Sequence, residues 1–157
     1  MRLYPVWNIR HSDPYDSLVE TLLAVRALQR QDLEVGPEVM HDPALLKDMD
    51  RAVERVEKAI RSREKIVVFG DYDVDGVSST AVMLDFLEAA GANCAYLLPD
   101  RHKDGYGLKP PGVERAMALG ASLIITVDNG ISAFAALELA RERGVDVVVI
   151  DHHQQLE

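Results

Sequence analysis

The stretch KIVVFGDYDVDGVSS, residues 65–79, decides the fold class of this chain. It opens with a short continuous apolar run at 66–69, which is typical of a strand buried on both faces of a sheet. An acidic turn follows, and the apolar-rich stretch at 78–91 predicts a helix that ends at Gly91. A buried strand, a turn and a helix in this order predict the first unit of a parallel α/β sheet.

The alternation of strand and helix continues to the end of the chain. Further strands are predicted at 93–99, 122–127 and 145–150, with helices at 111–119 and 131–144 between them. Such alternation implies parallel strands joined by right-handed crossovers. The predicted fold class is therefore α/β, with a mostly parallel sheet of at least four strands flanked by helices.

The first part of the chain has a helical pattern instead. Residues 16–30 and residues 43–63 each place apolar side chains at helical spacing, and Asp42 with Pro43 resembles the start of the second helix. The two apolar stripes consist of Leu18, Leu22, Val25 and Leu28, and of Leu45, Met49, Val53, Val56 and Ile60. We expect a helical N-terminal extension over 1–63, followed by the α/β domain over 64–157.

Composition limits the classes of function. The 157 residues are 48% hydrophobic and 27% charged, which is ordinary for a globular domain. The sequence shows neither an apolar run of the roughly 18 residues that span a membrane nor an apolar signal core at the N-terminus. The single cysteine, Cys94, can form no internal disulfide. We therefore expect a cytoplasmic protein with no membrane partner, and its net charge of −9 gives no bulk attraction to nucleic acid.

Every predicted strand is followed by an aspartate. These residues are Asp71, Asp100, Asp128 and Asp151, and the last of them is followed by His152 and His153. Ligands of open parallel sheets bind outside the carboxyl ends of the strands. We therefore expect these side chains to share one edge of the sheet and to form a binding site there.

The densest group of acids is GDYDVDG, which contains Asp71, Asp73 and Asp75. Three carboxylates this close repel one another, and bound cations relieve the cost of their ionised state. Oxygen ligands suit Mg²⁺, Mn²⁺ or Ca²⁺, and imidazole from the nearby histidines favours Mn²⁺. The alternative is a solvated acidic turn in which Asp75 or Ser78 caps the following helix.

Two other motifs nearly match the same stretch. DYDVDG begins like a calcium-binding EF-hand loop, but Val82 stands at the position of the bidentate glutamate and a strand precedes the loop, so an EF-hand is excluded. DVDGV after an apolar strand also resembles the haloacid dehalogenase phosphatases, in which an aspartate is the phosphoryl nucleophile. That interpretation needs a later lysine and a paired-acid site, whereas the later strand ends carry VDNG and DHH, and it stays the less favoured alternative.

Four motifs in a fixed order connect the chain to a known family. They are GDYDVDG at 70–76, PDRHKDGYGL at 99–108, VDNGIS at 127–132 and DHH at 151–153. Together they resemble the DHH phosphoesterase superfamily, most closely its bacterial single-strand-specific exonucleases. The segment at 41–60 also resembles the helical lead-in of those proteins. The resemblance therefore extends from His41 to His153.

The resemblance implies a phosphodiesterase that uses two Mn²⁺ or Mg²⁺ ions to remove nucleotides from the 5′ end of single-stranded DNA, with partners among replication and repair proteins. It implies metal-binding and catalytic roles for Asp73, Asp75, Asp128 and His152, with Asp71 as a further metal ligand. On the substrate side it implies phosphate contacts by Arg101 and His153, with Ser78, Ser79, Tyr106 and Asn129 as neighbours.

Some features depart from the wider superfamily. Phe69 stands where many relatives have a histidine, and the exonuclease branch shares this difference. The superfamily also has a metal-binding aspartate and a substrate-gripping domain downstream of DHH, so we expect the N-terminal part of a longer nuclease, weakly active or inactive by itself. Two alternatives stay open: a short-oligonucleotide or cyclic-dinucleotide phosphodiesterase, and a catalytically silent metal- or partner-binding module.

Overall fold

The computed structural model describes residues 17–33, 36 and 40–154. The beginning of the predicted N-terminal extension, residues 1–16, lies outside this range. The chain forms one compact unit up to Leu45 and a second unit from Leu46. Within the described ranges, no helix is long and apolar enough to cross a membrane.

The first unit contains the helix α1, Leu18–Arg26. Ser17 caps it by accepting a hydrogen bond from the backbone N–H of Glu20, and Ala27 ends it in the left-handed conformation. The buried side chain of α1 is Leu23, whereas Leu18 of the predicted stripe is 74% exposed. The prediction that the Leu18 stripe is the buried side of this helix is therefore wrong, because the helix buries Leu23 instead.

The second predicted helix is divided. Pro43–Leu45 forms one turn of 3₁₀ helix, in which Asp42 accepts a hydrogen bond from the N–H of Ala44 at 2.9 Å. The α-helix α2 begins only at Met49 and spans Met49–Arg61. Asp48 takes a left-handed φ of 57° between the two segments, which prevents one continuous helix from Pro43.

The second unit contains a four-stranded parallel sheet. The strands are β1 Lys65–Phe69, β2 Asn93–Leu97, β3 Leu123–Val127 and β4 Asp146–Ile150, in the spatial order β2-β1-β3-β4. The helices are α3 Val74–Ala89, α4 Pro110–Ala118 and α5 Phe134–Glu142. The predicted α/β fold class is confirmed.

Helices cover both faces of the sheet. Alternate residues of β1 point to opposite faces, so Ile66 packs with Ala59 of α2 and Leu87 of α3, while Phe69 packs with Val113 of α4. The central strand β3 is buried along its whole length. The continuous apolar runs of β1 and β3 follow from burial on two faces.

The topology places a binding site between β1 and β3. The chain leaves β1 toward one side, through α3 to β2, and then crosses back over β1, through α4, to β3. The loops after β1 and β3 therefore diverge and leave a crevice at the carboxyl ends of these neighbouring strands. The motif GDYDVDG forms the loop after β1 and the first turn of α3, and VDNGIS lies in the end of β3 and the loop after it.

Candidate metal centre

Asp71 is a buried acid whose carboxylate has only poorly aligned hydrogen-bond contacts with the described residues. It follows β1 by two residues and is 0% exposed, and neither of its carboxylate oxygens accepts a hydrogen bond of normal geometry from the described residues. Burial raises the pKa of Asp71, the charges of Asp73 and Asp128 raise it further, and nearby backbone N–H groups offset only part of this effect. A buried carboxylate without a partner is costly, and a bound cation would remove that cost.

Asp73 and Asp75 lie at the start of α3. The helix begins at Val74, earlier than predicted, because Asp73 caps it by accepting a hydrogen bond from the N–H of Gly76 at 2.9 Å. The cap is therefore Asp73 rather than Asp75 or Ser78. Asp75 is exposed in the first turn, and its carboxylate forms no hydrogen bond or ion pair with the described residues.

Gly76 brings α3 close to Asp71. A Cβ atom at Gly76 would lie 2.6 Å from backbone atoms of Asp71, a distance at which the backbone must shift. The glycine of the DVDG motif therefore permits the helix N-terminus to pack directly on the loop after β1. This packing sets Asp73 near enough to Asp71 for the two charges to interact.

Asp128 lies at the end of β3 in an unusual backbone conformation. Its φ is 62°, and its backbone N–H donates to the carbonyl of Ile150 at 2.9 Å, which joins the ends of β3 and β4. The side chain is 7% exposed, and its Oδ1 lies 3.0 Å from Nε2 of His152. Non-glycine residues with positive φ are uncommon and are often found at functional sites.

Asp128, His152 and His153 form a group that could hold one metal ion. Each offers a ligand atom, and these atoms lie within 4.8 Å of one another. The two imidazole rings are 4.5 Å apart, and both are substantially exposed, whereas the carboxylate is buried. The site thus has a buried acidic floor and an accessible nitrogen-bearing rim.

Asp151 is part of this centre, at the sheet edge where its position after a predicted strand placed it, although the sequence predicted no specific role for it. Its side chain is 2% exposed and accepts hydrogen bonds from the N–H of Ile131 at 3.0 Å and from the N–H of His153 at 3.1 Å. The same carboxylate lies 2.7 Å from Nδ1 of His153. Its position directly after β4 predicted the location, and these contacts show its role.

The Asp151–His153 contact shifts the pKa of both groups. Burial opposes the ionisation of Asp151, but its hydrogen bonds outweigh burial and hold the pKa of the carboxyl below its usual value. The bond to Asp151 raises the pKa of the His153 ring. A carboxylate bonded to one ring nitrogen fixes the ring and leaves the other nitrogen to face a metal or a substrate.

Tyr106 extends from the loop after β2 to the same centre. Its hydroxyl donates to the backbone carbonyl of Asp128 at 3.3 Å and lies 3.2 Å from Nδ1 of His153. Burial, and then the surrounding carboxylates, raise the pKa of Tyr106 to about 12. The phenol therefore stays protonated at neutral pH and acts as a hydrogen-bond donor.

Asn129 joins three parts of the fold. It is fully buried, and its side-chain amide donates to the carbonyls of Phe69 at 3.2 Å and Val127 at 2.9 Å. Its Oδ1 accepts from the N–H of Leu108 at 3.1 Å. The amide thus holds the ends of β1 and β3 and the loop before α4 together, beneath the predicted substrate side.

The other predicted substrate-side residues lie around the rim. Ser78 donates to the carbonyl of Val74, and Ser79 donates to the carbonyl of Asp75 at 2.6 Å, both within the first turns of α3. Arg101 is exposed, and its guanidinium carbon lies 5.5 Å from the ring centre of Tyr72. This cation–π contact holds the arginine on the GDYDVDG loop.

The residues present fit a divalent ion. Carboxylate oxygens and imidazole nitrogens are ligands that Mn²⁺ and Mg²⁺ accept in different proportions, and the nitrogen donors favour Mn²⁺. The oxygens of Asp71, which accept no hydrogen bond of normal geometry from the described residues, are a separate feature that a bound cation would satisfy. The residues that could hold ions are Asp71, Asp73, Asp128, His152 and His153.

Comparisons with known proteins show what this chain is similar to. Residues 65–157 match the model described as the DHH family, N-terminal domain. The single-stranded-DNA-specific exonuclease RecJ of Dickeya dadantii is 41% identical over 98% of this chain and 27% of its own length. RecJ of Bacillus subtilis is 45% identical over 73% of this chain and 14% of its own length. The chain therefore spans about a quarter or less of these relatives.

Solved structures are similar as well. A crystal structure of exonuclease RecJ bound to manganese has a TM-score of 0.67 and 38% identity, over 71% of this chain and 29% of that one. RecJ from Thermus thermophilus in complex with Mn²⁺ has a TM-score of 0.65 and 31% identity, over 86% of this chain and 19% of that one. Both structures resemble this chain in sequence as well as in fold.

Proposed function

Because this chain belongs to the DHH family, we propose that its strand-end centre binds divalent metal ions and serves the hydrolysis of phosphodiester bonds at the 5′ end of single-stranded DNA. The observation that carries the proposal is buried Asp71, close enough to Asp128 for their charges to interact, together with the Asp128–His152–His153 group that could hold an ion. The similar RecJ proteins are named as single-stranded-DNA-specific exonucleases, which supports the substrate.

The proposed centre holds two ions of Mn²⁺ or Mg²⁺. When bound, two ions activate a water molecule and neutralise the charge of the reacting phosphate. Asp71, Asp73, Asp128 and His152 would hold these ions, with Asp128 at the end of β3 and His152 after β4. We include Asp75 as a further ligand, on the family resemblance alone.

The remaining residues of the centre would act on the substrate and on each other. Asp151 fixes the ring of His153, which we propose to contact the reacting phosphate. The Tyr106 hydroxyl donates a hydrogen bond to the backbone carbonyl of Asp128 and so supports the left-handed backbone conformation that presents the Asp128 carboxylate. Arg101 would bind a phosphate by its planar guanidinium, with Ser78 and Ser79 beside the strand.

The biological setting is part of the same proposal. We propose partners among replication and repair proteins, because single-stranded DNA with a free 5′ end arises where those proteins act. We propose the cytoplasm as the compartment, since the single cysteine excludes the internal disulfides that many exported domains use.

Metal binding is tested first, by titrating the chain with Mn²⁺ in a calorimeter. We expect saturable binding that Asp128→Ala abolishes, whereas Asp85→Ala, which removes an exposed acid of α3 outside the centre, leaves it unchanged. Equal binding by the wild type and Asp128→Ala would contradict the assigned centre.

Substrate class is tested by a length series in Mn²⁺. The exonuclease proposal predicts that protein containing this centre shortens a long 5′-phosphorylated single strand from its 5′ end, and that Asp128→Ala stops this. Hydrolysis restricted to dinucleotides would instead favour the short-oligonucleotide phosphodiesterase. Metal binding without any hydrolysis would favour a catalytically silent module.

A further inference from the structure

A cleft with mostly apolar walls, called the apolar cleft below, begins at the metal centre. It has a volume of about 620 Å³, and its walls include His153 of the centre, Tyr106 and Pro110 on one side, and Ile131 and Phe134 on the other. This volume is in the usual range for small-ligand sites. The cleft shares His153, Asp151 and Tyr106 with the centre, whereas its apolar residues offer no metal-ligand atoms.

The cleft exposes two aromatic rings. Phe134 is 53% exposed and Tyr106 is 48% exposed, although both lie in a concave surface. Phe134 is the first residue of α5, on the loop that follows Asp128. Half-exposed aromatic rings in a groove are the usual platforms on which the bases of single-stranded nucleic acid stack.

A smaller basic cleft continues from the first one. It has a volume of about 300 Å³ and shares Gly107 and Lys109 with the apolar cleft. Its charged lining residues are three cations and one anion, namely Lys103, Lys109, Arg115 and Asp104. Since the whole chain has a net charge of −9, this concentration of positive charge is local and specific.

The positive charge of Lys109 is available to a ligand. Its Nζ donates to the backbone carbonyl of Asp104 at 2.6 Å, whereas the Asp104 carboxylate pairs with Arg115 at 3.1 Å. The lysine is thus held in place by a neutral group, and no acid among the described residues forms an ion pair with it. An ammonium group in this position attracts a phosphate that carries a full negative charge.

We propose that the apolar cleft is a nucleotide subsite of the nucleic acid strand, with one base stacked on Phe134 and the adjacent phosphate bound by Lys109. This inference rests on the proposed function, since His153 at the end of the cleft places the strand at the metal centre. The charge pattern complements a polyanion, because the phosphate next to the base meets Lys109 while the reacting phosphate lies among bound cations.

The test measures binding of a fluorescent 5′-phosphorylated oligothymidylate with hydrolysis-resistant phosphorothioate linkages, in Mn²⁺, to the whole chain. Phe134→Ala should weaken binding by about 5- to 150-fold, which is the range for loss of one base–aromatic stack. Phe134→Trp should restore it. Phe86→Ala is the matched control, because Phe86 is 59% exposed on α3 and outside the cleft.

Abasic strands identify the stacked base. In this series, each strand carries one abasic nucleotide at a different position. At one position, the abasic nucleotide should weaken binding to the wild type but should not weaken binding to Phe134→Ala any further. Lys109→Gln should weaken binding and lower the slope of log affinity against log salt by about one. Lys58→Gln, on the exposed side of α2, is its control.

The outcomes separate this inference from the proposed function. Equal binding by Phe134→Ala and Phe86→Ala, or abasic penalties that are the same in the wild type and in Phe134→Ala, would overturn the subsite. A wild-type chain that binds Mn²⁺ but not the strand would also overturn it and leave the metal centre standing. Strand binding that depends on Phe134 without any Mn²⁺ binding would keep the subsite and overturn the metal centre.

Discussion

Replacing Asp71 with asparagine should change stability in opposite directions without and with metal. The side chain is fully buried, and neither carboxylate oxygen accepts a hydrogen bond of normal geometry from the described residues. Asparagine keeps the shape and removes the charge. A metal-free Asp71→Asn chain should therefore be more stable than the wild type at neutral pH, while its response to Mn²⁺ should be lost.

The magnitude follows from the cost of an unpartnered buried group. Such a group costs about 1–3 kcal/mol, and more when it is charged. The asparagine amide also lacks partners, so we expect a net gain of about 1–2 kcal/mol in the free energy of unfolding of Asp71→Asn. With Mn²⁺ at 100 times its dissociation constant, the wild type should gain about 2.7 kcal/mol.

The pH dependence has a definite sign. Because burial raises the pKa of folded Asp71 above its ordinary value of 3.8, the folded state holds this proton more tightly than the unfolded state. The metal-free stability of the wild type should therefore fall as pH rises from about 3.8 through the folded pKa. Asp71→Asn should lack this contribution to the pH profile.

Urea unfolding with and without Mn²⁺, across this pH range, is the measurement. Asp85→Asn, an exposed acid on α3, should leave both the metal-free stability and the gain from Mn²⁺ unchanged. The reasoning is refuted if metal-free Asp71→Asn is less stable than the wild type at neutral pH. It is refuted equally if Mn²⁺ stabilises that variant as much as it stabilises the wild type.

Three further predictions concern the residues around the centre. Asn129→Ala removes three buried hydrogen bonds and should lower the unfolding free energy by about 3 kcal/mol in urea, whereas Asn93→Ala, on an exposed position, should cost well under 1 kcal/mol. Gly76→Ala places a Cβ atom 2.6 Å from neighbouring backbone, so calorimetry should show weaker Mn²⁺ binding together with a lower melting temperature. Asp151→Asn should lose the most stability between about pH 4 and 6.5. The lowered pKa of Asp151 stabilises the folded state at pH values above 3.8, and the raised pKa of His153 stabilises it until the pH rises through the folded pKa of that ring. Equal losses of stability at pH 5 and pH 9 would contradict the proposed pair.

The sheet and the family could be predicted because their signals are local and repeated. The apolar runs that became β1 and β3 are buried on both faces, and that burial produces a recognisable pattern. The family prediction is confirmed by the match over residues 65–157. The order β2-β1-β3-β4 then explains why Asp71 and Asp128, distant in sequence, line one crevice.

The start of α3 could not be placed, because its first turn consists of residues that usually form loops. Aspartate and glycine are poor helix formers in a helix interior, so the sequence indicated a helix only from Ser78. In the structure the helix starts at Val74, because Asp73 caps it and Gly76 lets it approach the loop after β1. The tertiary contact thus overrides the local propensity.

Asn129 is a residue of the site whose contacts likewise could not be predicted from the local sequence. The sequence VDNG is typical of a tight turn, and the family resemblance assigned the asparagine to the substrate side. Its bond to the carbonyl of Phe69 joins residues 60 positions apart, and no local pattern predicts such a contact. Asp151 was expected at the binding edge, but its role was not predicted for a related reason, since only the fold shows that its carboxylate holds the ring of His153.

The cost of Asp71 to the fold supports the idea that the centre was selected for binding. A metal-free fold gains nothing from a buried carboxylate without a partner, and an apolar or amide side chain there would be more favourable. The left-handed Asp128, in direct contact with His152, adds a second strained feature at the neighbouring strand end. A cation bound between these two strand ends, as proposed above, would offset the cost of both features. The same centre would then be the least stable part of the metal-free protein and the part that metal stabilises most.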